Sequence, residues 1–203
     1  MAAVPDPYDF SAELQALERK LGPAPTDGVV FYGSSSIRLW PHPKREFPNA
    51  EVQNLGFGGS TLAACAREFE RLVVPRRPRA ILLYAGENDL TLGAGAEDVW
   101  EALRDLLDQR DKFLGPVPLA FLSIKPTPSR WDLLPLVEET NEWCHRELAS
   151  REEARWVDVA TPMFGPAKSP RPELFMADQM HLSRAGYALW NGILHREVGD
   201  LLD

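Results

Sequence analysis

Short apolar runs rich in Val, Ile, Leu and Phe alternate along the chain with longer segments whose apolar residues recur at helical spacing. Runs that are apolar at nearly every position mark strands buried on both faces, as in a parallel sheet. They occupy residues 28–32, 51–55, 80–85, 117–124 and 155–159. The segments between and around them predict helices over 8–21, 61–73, 96–113, 131–149 and 183–202. In the third of these, Val99, Leu103, Leu106, Leu107 and Phe113 form one stripe, while Glu101, Arg104, Asp105 and Asp108 take other faces.

Regular alternation of strand and helix predicts an α/β fold: a three-layer α/β/α sandwich around a five-stranded parallel sheet. Right-handed crossovers leave few topologies. The flavodoxin-like order 2-1-3-4-5 is favoured because it sets the ends of strands one and three side by side at the switch point, where open sheets bind ligands. Two segments read as irregular: 123–130, with Pro126 and Pro128, and 160–180, with Pro162, Pro166, Pro170 and Pro172. The second is long for a connection inside a compact domain. It is expected to carry the chain from the sheet edge back over the switch point.

Composition narrows the picture. A chain of 203 residues, 44% of them hydrophobic, suits one domain over 1–203 with a sizeable core. The formal net charge of −8 argues against nucleic acid or an anionic membrane as partner. No apolar stretch approaches the roughly 20 residues that span a bilayer, so no integral membrane segment is expected. Met1-Ala2-Ala3-Val4-Pro5-Asp6 lacks the basic patch and apolar segment of a secretory signal. Cys65 and Cys144 fall in helical stretches and read as buried free thiols, a structural disulfide being the alternative. A cytoplasmic location is the resulting expectation. The basic run Arg76-Arg77-Pro78-Arg79 reads as a solvated turn, or else as a phosphate or headgroup site. No feature of the pattern specifies an oligomeric state.

Candidate chemistry lies just past the strands. Ser34, Ser35 and Ser36 follow the first, in a strand-to-helix turn that can expose a nucleophile; they also read as an ordinary Ser-rich cap. They do not match the G-x-S-x-G elbow, because Ile37 stands where its second glycine belongs. Gly56-Phe57-Gly58-Gly59-Ser60 follows the second strand and lacks the spacing of a phosphate-binding loop, so a tight turn capped by Ser60 is open as well. Gly86-Glu87-Asn88-Asp89 follows the third, where Asn88 and Asp89 could instead satisfy local backbone groups. Asp178 precedes His181 by three, a pairing that can hold an imidazole in one tautomer as a base near neutral pH. Asp178 or Ser183 could also simply cap the last helix. His42, His145 and His195 read as structural.

Together these segments resemble the SGNH hydrolase superfamily, the GDSL-type esterases and lipases, with four blocks in the family's order across residues 29–190. The family's first block, Gly-Asp-Ser, reads Gly33-Ser34-Ser35 here, similar to a subgroup of small bacterial esterases with Gly-Ser-Ser-Ser-Ile-Arg. The departure at Ser34 leaves open any role of the usual Asp. The resemblance implies a serine esterase acting on small or short-acyl esters through an acyl-enzyme. It makes Ser35 the nucleophile, His181 the base and Asp178 its partner, with Ser35, Gly59 and Asn88 forming the oxyanion hole. It calls for no metal and no organic cofactor. The same blocks serve carbohydrate O-acetylesterases, thioesterases and lysophospholipases. Lys125, Trp131 and Met180, with Met176, are expected to line the substrate site. The readings that compete are a non-catalytic binding module, a flavodoxin-like nucleotide binder, and a metallohydrolase built on Asp89, Asp178 and His181.

Overall fold

A computed structural model describes residues 9–25 and 27–202. In chain order the elements are α1 (Ser11–Lys20), β1 (Val29–Gly33), α2 (Ser35–Arg38), α3 (Pro43–Glu46), β2 (Val52–Gly56), α4 (Leu62–Leu72) and β3 (Ala80–Tyr84). There follow α5 (Glu87–Thr91), α6 (Ala96–Leu114), β4 (Leu119–Leu122), α7 (Leu134–Ala149), β5 (Ala154–Val157) and α8 (Arg184–Leu202). The strands form one parallel sheet in the order β2-β1-β3-β4-β5. Helices cover both faces, so the expected three-layer α/β fold and its strand order are what the chain adopts. Tyr8, where the first predicted helix begins, and the stretch Met1 to Asp6 lie outside the described residues.

Alternation along the strands divides the core in two, because successive side chains leave a strand on opposite faces. Val30, Tyr32, Ile81, Leu83, Leu119 and Phe121 pack with α1, α4, α6 and α7. Val29, Phe31, Leu82, Tyr84 and Leu122 pack on the other face with α8 and the segment after α2. There Trp40, Tyr84, Tyr187 and Trp190 form contiguous ring contacts at centroid distances from 5.0 to 6.5 Å. β1, β3 and β4 are buried throughout, which is why they read as unbroken apolar runs, whereas the edge strands β2 and β5 are partly exposed and carry Gln53, Asn54 and Arg155.

Predicted boundaries moved where side chains replace the ladder. The fourth strand, expected over 117–124, is hydrogen-bonded as a strand only over Leu119–Leu122. Past its end the Asn141 carboxamide takes over as a backbone partner. Its Oδ1 accepts from Ile124 N at 2.8 Å and its Nδ2 donates to Ile124 O at 2.9 Å. The fifth strand stops at Val157, and Ser123 Oγ accepts the N–H groups of Val159 and Ala160, both at 2.9 Å. The helix expected from 131 starts at Leu134, after a 3-10 turn over Pro128–Leu133 in which Arg130 leaves helical geometry with φ −132° and ψ 34°. Both cysteines are free and buried. Among the described residues no helix is long and apolar enough to cross a membrane.

Candidate active site

The site begins where three neighbouring strands, β2, β1 and β3, end together. Gly33, the last residue of β1, pairs with Gly56 of β2 on one side and Tyr84 of β3 on the other. Beyond that row the chain stays in register: Ser34 N donates to Tyr84 O at 2.9 Å and Phe57 N to Gly33 O at 3.0 Å. Gly33 has φ +134°, and a Cβ there would lie 1.9 Å from Tyr84 O, so only glycine lets the strands approach this closely. Ser35, Gly59 and Asn88 therefore leave the sheet from one edge.

Ser35 opens the one-turn helix α2 and is half-buried between buried Ser34 and Ser36. The turn is fixed from β2, where Asn54 Nδ2 donates to Ile37 O at 2.6 Å. From the far end of the chain, His181 brings Nε2 to 3.0 Å from Ser35 Oγ. Its Nδ1 lies 2.6 Å from Asp178 Oδ2, while Asp178 Oδ1 accepts the backbone N–H of Met180 at 2.9 Å and of His181 at 3.0 Å. Those bonds, the one from the His181 ring foremost, hold the Asp178 carboxyl down at about 2. The loop carrying the pair is itself closed by backbone bonds, Met176 N to His181 O at 2.7 Å and Gln179 N to Met176 O at 2.9 Å. An imidazole held by a carboxylate on one nitrogen and facing a hydroxyl with the other can transfer the hydroxyl proton.

Gly59 is exposed with φ +73°, which directs the chain out of β2's end and into α4. Among the described residues neither Ser35 N nor Gly59 N donates to a protein acceptor. Asn88 lies in α5, after β3, and its Nδ2 donates one hydrogen to Ser60 O at 3.0 Å. The adjacent Asp89 turns the other way and accepts Leu62 N at 2.7 Å and Ala63 N at 3.3 Å, holding the start of α4. Burial pushes its carboxyl up to about 6, against those backbone bonds.

A model of the GDSL-like lipase/acylhydrolase family matches residues 26–189. The chain belongs to this family. Membership makes it a hydrolase acting on ester bonds. No curated protein matches it closely enough to add to that assignment. Solved structures share its fold at low identity. A proposed acylhydrolase of Bacteroides fragilis is 17% identical with a TM-score of 0.80, over 98% of this chain and 100% of that one. A GDSL-like lipase of Bacteroides thetaiotaomicron is 16% identical with a TM-score of 0.74, over 96% and 99%. A family 3 carbohydrate esterase of Clostridium thermocellum is 17% identical with a TM-score of 0.69, over 88% and 98%.

Within this GDSL-like chain the four expected substrate contacts are placed differently from one another. Trp131 is 39% exposed, with its ring edge-on to Phe164 at 6.2 Å. Met180 is half-buried beside His181, and Met176 is 45% exposed. Lys125, by contrast, is buried, only 2% exposed. Its ammonium is paired with Glu87 Oε2 and lies 3.2 Å from the Tyr84 hydroxyl. Glu87 also accepts from Thr127 Oγ1 at 2.6 Å, and lies 3.1 Å from Arg130 Nη1. Burial alone would raise the Glu87 carboxyl, but Lys125, Thr127 and Arg130 together outweigh it and hold it below the usual range. Glu87, Thr127 and Arg130 were not singled out from sequence. The signal they gave was two polar segments at strand ends that the topology brings together. The triangle Asp89, Asp178 and His181 does not assemble as a metal-binding group among the described residues.

Proposed function

We propose that this GDSL-like enzyme is a serine esterase that hydrolyses small or short-acyl carboxylic esters through an acyl-enzyme. The reading is carried by the unbroken contact line from Ser35 Oγ to His181 Nε2 at 3.0 Å and from His181 Nδ1 to Asp178 Oδ2 at 2.6 Å. His181 takes the proton of Ser35 as Oγ attacks the ester carbonyl. Asp178, ionised down to a pH of about 2, keeps the proton on Nδ1 and stabilises the imidazolium. The oxyanion is received by the N–H groups of Ser35 and Gly59 and by the Nδ2 hydrogen of Asn88 that Ser60 does not use. His181 then protonates the leaving alcohol, and activates the water that releases the acid.

The triad is shallow. Side chains of His181 and Asp178 are 26% and 46% exposed, which suits a compact acyl group rather than a long chain needing an enclosed tunnel. Exposed Trp131 and Met176 and half-buried Met180 are the apolar side chains assigned to meet it. Buried free thiols at Cys65 and Cys144 support the cytoplasmic location. The test is turnover by the pure protein of p-nitrophenyl esters of rising acyl length, with acetylated sugars, acyl-CoA and lysophospholipid alongside. Rates are expected to peak at acetate to butyrate. No turnover of any ester would leave the site a binding module, and a preference for acetylated sugar would move it toward the carbohydrate esterases whose fold it shares.

A further inference from the structure

We infer that Arg130 is a positioning residue for Asn88: it fixes which end of the carboxamide faces the reacting carbonyl and places positive charge behind it. The inference rests on the oxyanion role proposed for Asn88. A carboxamide has two ends of nearly equal size, so its neighbours decide its orientation. Here Nδ2 donates to Ser60 O at 3.0 Å, and Oδ1 accepts from Arg130 Nη1 at 3.2 Å. Turned over, the amide would set its oxygen against a carbonyl oxygen and its NH2 against a guanidinium. Two bonds would become two repulsions. Ser60 alone would constrain one end; Arg130 constrains the other and leaves the second Nδ2 hydrogen for the substrate.

The guanidinium is itself held. The same Nη1 lies 3.1 Å from Glu87 Oε1, and Glu87 is secured by Thr127, by the Tyr84 hydroxyl at 3.1 Å and by Lys125. Arg130 also departs from helical geometry within its turn. Its neighbour Ser129 donates N–H to Gln179 O at 3.2 Å, tying this segment to the loop that carries His181. One short stretch thus connects both halves of the site.

Charge adds to geometry. Glu87 contributes one negative charge, and Lys125 and Arg130 one positive charge each, leaving the cluster with a net positive charge next to Asn88. The side chains of Lys125, Glu87 and Arg130 are 2%, 9% and 16% exposed, so water screens this charge poorly. A cationic donor on Oδ1 also polarises the amide and strengthens the Nδ2–H that faces a developing oxyanion.

The experiment is a double-mutant cycle on p-nitrophenyl acetate with Arg130→Met, Asn88→Ala and the pair, each checked by thermal unfolding. Arg130→Met should lower kcat by about 10- to 100-fold with KM within about threefold, a fraction of the 10²–10³ that one oxyanion donor supplies. In the Asn88→Ala background it should cost no more than about twofold, because its effect passes through Asn88. Arg130→Lys, which keeps the charge and a donor, should fall between Met and the native residue, and it carries the same cycle if the Met variant does not fold. Losses that multiply in the double variant, or a loss confined to KM, overturn the inference and leave the oxyanion role standing. An Asn88→Ala loss below about fivefold sinks both.

Discussion

Replacing Asp178 by Asn tests the proposed base through a single atom. In the native loop Oδ1 accepts two backbone N–H groups, at 2.9 and 3.0 Å, and Oδ2 faces His181 Nδ1 at 2.6 Å. An Asn side chain keeps its oxygen on the two N–H groups, since an NH2 there would oppose two donors. The NH2 then takes the place of Oδ2 and donates to Nδ1. The ring proton must move to Nε2, which lies 3.0 Å from Ser35 Oγ and can no longer accept the serine proton. A wrong tautomer of this kind costs about 10⁴ in kcat, which is about 5 kcal/mol of barrier. The change should leave the fold intact, because both backbone bonds survive. It also has an acid-side signature. Asp178 is held at about 2 against an ordinary 3.8, so its ionised form favours the folded state above pH 4, and that contribution is lost as pH falls through about 2. The difference in Tm between native and variant should therefore narrow from pH 5 to pH 2. Steady-state turnover of p-nitrophenyl acetate at pH 8, with Tm measured across that range, reads both effects. A folded Asn variant that loses less than about tenfold in kcat would refute the role given to the Asp178–His181 pair.

Other consequences are simpler. Gly33→Ala must place a Cβ 1.9 Å from Tyr84 O at φ +134°, and should cost about 3–5 kcal/mol or prevent folding; a loss under about 1 kcal/mol in urea denaturation would show that the strand ends can part. Incubation with EDTA should leave kcat within about twofold, whereas a large loss restored by a divalent ion would revive a metal-assisted reaction. Cys65 and Cys144 are buried, which raises the first thiol far above its ordinary range and the second to about 12. A thiol reagent at pH 8 should modify them only in denaturant, and rapid reaction of the native protein would contradict that burial.

The fold was legible because a parallel sheet covered on both faces leaves a one-dimensional trace: apolar runs, unbroken in β1, β3 and β4 and interrupted by polar residues in the edge strands β2 and β5, separated by amphipathic helices. Strand ends were less legible, since Asn141 and Ser123 complete the ladder from side chains whose partners lie 17 and 36 residues away. At the site, residue type and block order singled out Ser35, Asn88, Asp178 and His181, although Ser35 and His181 are 146 positions apart. The burial of Lys125 was not legible, for a physical reason. A lysine at the start of a proline-rich loop is ordinarily solvated, and lysines are buried only when paired. Its partner Glu87 stands 38 positions earlier, and no local pattern announces that pair. The Arg130–Asn88 contact, spanning 42 positions, was hidden for the same reason.

The central claim is that Ser35 carries the acyl group, and labelling addresses it most directly. A fluorophosphonate should add once to the native protein, at a peptide whose fragment ions place the adduct on Ser35 rather than Ser34 or Ser36, and Ser35→Ala should take up none. An adduct on either neighbouring serine, or undiminished labelling of the folded Ala variant, would contradict it.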